Sequence, residues 1–132
     1  MKPTAKSAAL CLFGAAVTFA AGTLFTSTRQ TNAADAAATA RRYVAAGYSV
    51  DLGLGQINSR NMRWLGLTWE TVFDPCTNVA ALGRVLTANY NSAKAGRDPQ
   101  TALRVALSMY NTGSQTRGFQ NGYVAKVTSQ VF

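Results

Sequence analysis

The chain has 132 residues, 48% of them hydrophobic and 14% charged, which allows one domain with a modest core and leaves no room for a second. Thirteen basic residues against five acidic ones give a net charge of +8, so an anionic partner is favoured, and for an exported protein the anionic cell wall is the simplest one. The basic residues are scattered, with no dense run and no aromatic platform beside them, and nucleic acid is therefore not the expected partner.

The first segment carries Lys2 and Lys6, then an apolar run from about Ala8 to Phe25, then a stretch rich in Thr, Ser and Asn. This is the layout of a secretory signal peptide. Small residues permit cleavage after Ala20 (Thr18, Ala20) or after Ala33 (Thr31, Ala33), and residues 1–33 are taken as the leader. An uncleaved inner-membrane anchor is the rival reading, since the run lies at the short end of what spans a bilayer. Cleavage after Ala33 leaves ten basic and five acidic residues, a net +5. It also removes Cys11 and leaves Cys76 without a partner in an oxidising compartment, unless both cysteines stay in the chain and bridge.

Beyond the leader the apolar spacing is helical, and no run of strict alternation is long enough to argue for a sheet, so the fold class is mostly α. Ala34 to Ala46 predicts a first helix, with Ala40, Tyr43 and Val44 on one face and Gly47 as a left-handed cap. Next, Gly53-Leu54-Gly55-Gln56-Ile57-Asn58 reads as a loop in which glycines let the backbone approach a ligand and Gln56 and Asn58 offer donors and acceptors suited to sugars. Gly66 and the aromatics around it predict short helical turns.

Asp74-Pro75 and Asp98-Pro99 each set a capping carboxylate before a proline, which predicts two helix starts. The first helix is expected to bury Val79, Leu82, Leu86 and Tyr90, and the second Leu103, Ala106, Leu107 and Tyr110. A last helix is predicted to begin near Asn121.

Several linked strings occur in one order: Asp51-Leu-Gly-Leu-Gly-Gln-Ile-Asn58, Phe73-Asp-Pro-Cys-Thr-Asn78, Tyr110-Asn-Thr-Gly113 and Asn121-Gly-Tyr-Val124. On these motifs, from about Ala38 to Val127, the chain resembles the lytic transglycosylase component of type IV secretion and conjugation systems, a branch of the soluble lytic transglycosylase and goose-type lysozyme superfamily. The resemblance implies a helical lysozyme-like domain over residues 34–132, located in the periplasm. Its implied partners are peptidoglycan glycan strands and secretion-system subunits, with membrane contact only if the leader is uncleaved, and it implies neither cofactor nor metal. By position, Gln56 and Asn58 would line the glycan cleft, while Tyr110 and Asn111 would flank the reacting sugar, the tyrosine hydroxyl near the catalytic carboxylate. Met109 stands where the family usually has alanine, and its added volume would crowd the cleft floor.

The implied reaction cleaves the bond between N-acetylmuramic acid and N-acetylglucosamine, the muramyl 6-hydroxyl closing a 1,6-anhydro ring. One carboxyl group of raised pKa serves as acid and then base. In the family that group is a glutamate followed by serine, upstream of the Gly-Leu-Gly-Gln motif. Here the single glutamate, Glu70, follows that motif and reads as a surface residue, whereas Asp51 reads as a structural turn residue and Asp35 as a helix cap. The expectation is an incomplete domain, catalytically impaired, with the alternative of a non-catalytic wall-binding or scaffold subunit. The resemblance further implies that Cys76 pairs with a cysteine near the mature N-terminus.

Overall fold

The computed structural model describes residues 16–19, 28–29 and 32–131, and the rest of the stretch read as a leader lies outside them. The elements run β1 (Ala16–Phe19), β2 (Thr28–Arg29), α1 (Ala33–Ala45), β3 (Val50–Leu52), β4 (Ile57–Asn58), a 3-10 turn at Ser59–Asn61, and α2 (Met62–Leu65). They continue with α3 (Pro75–Ala93), α4 (Pro99–Thr112), α5 (Arg117–Gln120) and α6 (Tyr123–Val131). Helix dominates, as expected. Two compact units divide the chain, residues 1–82 and 83–132.

In the first unit, Asn32 caps α1 by accepting the Asp35 amide at 2.9 Å, while its Nδ2 donates to the Asp35 carboxylate at 2.9 Å. The cap is therefore Asn32, and Asp35 accepts from that cap's side chain instead of capping as the sequence suggested. Gly47 takes the left-handed φ of +93° predicted for it, one residue past the C-cap Ala46. Ala36 and Ala40 bury the α1 face against Val50, Leu52, Met62, Val72 and Phe73, and Tyr43 and Val44 pack on the rim.

A small sheet of order β2-β1-β3-β4, antiparallel throughout, is the feature that hydrophobic spacing did not predict. Strands of two to four residues are too short to express a two-residue period. Where β4 ends, the Ser59 hydroxyl accepts the Val50 amide at 3.1 Å and replaces the next ladder bond.

Both Asp-Pro helix starts hold. The Asp74 carboxylate accepts the Thr77 amide at 2.7 Å and Asp98 accepts the Thr101 amide at 3.0 Å. The buried faces are displaced from the expected stripes. On α3, Val79 is 47% exposed, and Asn78, Ala81 and Val85 are buried; on α4, Leu103 is 42% exposed, and Ala102, Val105, Ala106 and Ser108 are buried. Two polar residues, Asn78 and Ser108, occupy fully buried positions, and a search for apolar periodicity steps past them.

Cys76, in the first turn of α3, is disulfide-bonded, the alternative left open for a chain that keeps both cysteines. The sequence holds one other cysteine, Cys11, outside the described residues. Among the described residues no helix is long and apolar enough to cross a membrane.

Candidate functional site

Strands β3 and β4 form a hairpin whose register sets Asp51 opposite Asn58 and Leu52 opposite Ile57. Alternation sends Val50, Leu52 and Ile57 into the core, so Asp51 and Asn58 share the other face. Asn58 Nδ2 donates to Asp51 Oδ1 at 2.9 Å, and Asn58 Oδ1 accepts the Arg60 amide at 3.1 Å. Both ends of the amide are thereby oriented. Burial pushes the Asp51 carboxyl above the ordinary carboxylate range, and the Asn58 bond offsets part of that rise.

The loop expected at residues 53–58 is in fact this hairpin, its turn running from Gly53 to Gln56. Gly53 has φ +71° and Gln56, though not glycine, has φ +53°. The turn holds Gln56 there: its amide and its Nε2 both donate to the Gly53 carbonyl, at 3.1 and 2.8 Å. Beneath the turn lies Asn78, wholly buried. Its Oδ1 accepts the Gly55 amide at 2.7 Å, and its Nδ2 donates to the carbonyls of Leu52 at 2.9 Å and Val72 at 2.8 Å. A Cβ on Gly53 would stand 2.3 Å from Asn78 Nδ2, and one on Gly55 would stand 3.0 Å from Asn78 Oδ1. The glycines are there because Asn78 needs the space, which the sequence analysis did not anticipate; the signal available was an asparagine in the first turn of a helix, three residues before Ala81 on the same face.

In the second unit the motif Ser108 to Gly113 ends α4, with Gly113 as a left-handed cap at φ +72°. Tyr110 is half-buried and Asn111 exposed. Ser108 Oγ donates to the Ser114 carbonyl at 2.6 Å and accepts the Gly118 amide at 2.8 Å, folding the 113–118 loop back onto the helix. Asn111 Oδ1 accepts Asn121 Nδ2 at 2.8 Å. Arg117 Nη2 donates to the Thr112 carbonyl at 3.0 Å, and Thr112, Arg117, Gln120 and Asn121 line a shallow pocket of about 450 Å³ that is open to solvent. Arg117 was not among the residues singled out from the sequence, because its helix α5 is a single turn with no periodicity to read.

Gln56 and Asn58 thus come together on one hairpin of the first unit, and Tyr110 and Asn111 on the last turn of α4 in the second. Glu70 is exposed, beside Trp69 and Arg41 in a groove of about 370 Å³ lined by alanines of α1. A hydrogen bond from Thr68, aided by the Arg41 charge, holds its carboxyl below the usual range. Asp74 and Asp98 are held low by their cap bonds to Thr77 and Thr101. Among the described residues no group of three or more His, Cys, Asp or Glu side chains could hold a metal ion.

Residues 33–132 match the family model described as Transglycosylase SLT domain. The chain is 48% identical over 80 residues to Protein virB1 of Agrobacterium fabrum, covering 61% of this chain and 33% of that protein. It is 45% identical over 87 residues to Protein virB1 of Rhizobium radiobacter, covering 66% and 36%. To the Type IV secretion system protein virB1 of Brucella abortus biovar 1 it is 35% identical over 102 residues, covering 72% and 43%. It therefore spans a third to under a half of the length of these relatives. No solved structure matches.

Proposed function

The chain belongs to the transglycosylase SLT domain family, and from that membership we propose that it is a lytic transglycosylase-like protein of a type IV secretion or conjugation apparatus, binding peptidoglycan glycan strands in the periplasm with impaired turnover. The similarity to virB1 proteins supports the secretion context. The disulfide at Cys76 suits an oxidising compartment. A net charge of +8, or +5 after cleavage at Ala33, suits the anionic wall.

The carboxylate inventory carries the impairment. The family reaction needs a carboxyl group that is protonated near neutral pH, aimed at a glycosidic oxygen, and able to accept the 6-hydroxyl proton afterwards. Asp74 and Asp98 are committed to helix caps, Asp35 is bonded to Asn32, and Glu70 is exposed and held low. These groups are ionised or occupied in ways opposite to an acid's requirement. Gln56, Asn58 and Asn111 instead offer amides, which bind sugar hydroxyls and N-acetyl groups without protonating anything.

A second reading rests on Asp51. Its carboxyl is half-buried, shifted upward by burial, and stands across one strand pair from Asn58, within the motif proposed to line the cleft. In that reading Asp51 replaces the glutamate and the Asn58 bond orients it.

Incubation of the purified chain with peptidoglycan sacculi separates the two. We expect co-sedimentation with sacculi and no 1,6-anhydro muropeptides by mass spectrometry. Anhydro products abolished by Asp51→Asn would install Asp51 as the acid. Failure of a folded sample to sediment would remove the peptidoglycan reading itself.

A further inference from the structure

We propose that the cavity lined by Thr112, Arg117, Gln120 and Asn121 receives a carboxylate carried on the substituent at the muramyl 3-oxygen, either the lactyl group itself or the stem peptide attached to it. The proposal rests on the glycan-binding reading above and adds the substrate chemistry that one end of it would select.

Arg117 is held, not merely present. Its Nη2 donates to the Thr112 carbonyl at 3.0 Å, which orients the guanidinium at the pocket edge, while its backbone amide donates to Ser114 Oγ at 3.4 Å and anchors the start of α5. A guanidinium has five N–H donors in a planar fork, and one bond to a carbonyl leaves a geometry suited to a carboxylate. Gln120 and Asn121 place two side-chain amides on the same cavity. Asn121 donates to Asn111 Oδ1 at 2.8 Å, which ties the cavity to the residue proposed to flank the reacting sugar. A sugar held at Asn111 would therefore lie beside the pocket that Arg117 lines.

The surrounding charge points the same way. Between Gly83 and Phe132 there are six basic residues and one acid, Asp98. Asp98 caps the opposite end of α4, about 20 Å along the helix from Thr112 by helical rise. No acid of this unit competes with a ligand carboxylate for Arg117.

A purely structural role for Arg117, closing the last carbonyls of α4, is the rival. The test uses the full chain, with Arg117→Gln and Arg117→Lys beside it. Binding is measured for a stem-bearing muropeptide tetrasaccharide, the same glycan stripped by an amidase to leave lactyl carboxylates, neutral chitotetraose and free stem tripeptide. The parent chain is expected to prefer one or both anionic glycans over chitotetraose by about tenfold or more, as for charge-assisted bonds. Arg117→Gln should erase that preference without changing chitotetraose affinity, Arg117→Lys should keep part of it, and added salt should weaken it. The stripped and stem-bearing arms identify which carboxylate is read.

Equal loss for every glycan in Arg117→Gln, or an unchanged preference, would overturn the proposal. So would a lower melting temperature with the preference intact. Arg117-dependent binding of the tripeptide with no glycan bound would keep the cavity and remove the glycan reading. Binding of none of the four would overturn both.

Discussion

The side-chain oxygen of Asn78 accepts the Gly55 amide at 2.7 Å, joining the first turns of α3 to the β3–β4 turn across 23 residues of sequence. With the two donations to Leu52 and Val72, every polar capacity that matters on this buried amide is used. A single polar side chain therefore sets the height of the turn that carries Gln56.

Asn78→Ala should cost about 3 kcal/mol or more, since it orphans one buried amide and two buried carbonyls at roughly 1–3 kcal/mol each. Asn78→Leu should do no better, because added apolar volume meets the Gly53 and Gly55 backbone. Urea unfolding monitored by circular dichroism measures it, and a loss under about 1 kcal/mol for Asn78→Ala would show that the clamp is dispensable.

Gly118→Ala is expected to disrupt the 113–118 loop, with a loss of about 1–3 kcal/mol or more. A Cβ at Gly118 would lie 2.5 Å from Ser108 Cα, a backbone atom that cannot rotate aside. Ser108→Ala, which removes the hydroxyl but keeps the packing, should cost about 1–3 kcal/mol through the lost bonds to Ser114 and Gly118. Combining the two should give less than the sum, because the alanine at 108 relieves part of the crowding.

Burial raises the Asp51 pKa, so between its ordinary value near 3.8 and its folded value the folded state binds the proton more tightly than the unfolded chain. Folding is favoured by this group as pH falls through that window, and the penalty is complete above it. Asp51→Asn removes the charge and keeps an oxygen for Asn58 Nδ2, so it should equal or exceed the parent in melting temperature at pH 7. The difference should shrink as pH falls through the folded pKa. A variant less stable than the parent at pH 7, with a gap widening upward, would contradict the sign.

The disulfide at Cys76 predicts that the full chain, denatured without reductant, yields no reactive thiol, and two after reduction. An intramolecular bond requires Cys11, so leader removal before it forms would leave one free thiol on Cys76. Thiol titration beside intact mass distinguishes these states.

What was legible in the sequence was local. Asp74-Pro75 and Asp98-Pro99 cap through their own next turn, and Gly47 reverses its own chain, so each needs only neighbouring residues to be read. The strands were not legible, because β3 and β4 have three and two residues, and the pairing of β3 with β4 and with β1 is decided by tertiary contact. The helix faces were misread for a related reason. Apolar side chains such as Val79 and Leu103 attract the stripe, whereas the buried positions are Asn78, Ala81 and Val85 on α3 and Ala102, Val105, Ala106 and Ser108 on α4. Gln56, Asn58, Tyr110 and Asn111 are proposed from motifs; Arg117 needed three dimensions, because the loop fastened by Ser108 brings it back over Thr112.

At one margin the sheet finishes in β4, a strand of two residues. Past β4 the backbone coils into the Ser59–Asn61 turn and offers no extended ladder. An incoming extended chain would find only a couple of bonds there, too few to hold a strand in place. Fibre-like stacking of copies through the β4 edge is thereby discouraged by strand length alone, in a protein proposed to work amid the crowded polymer of the wall.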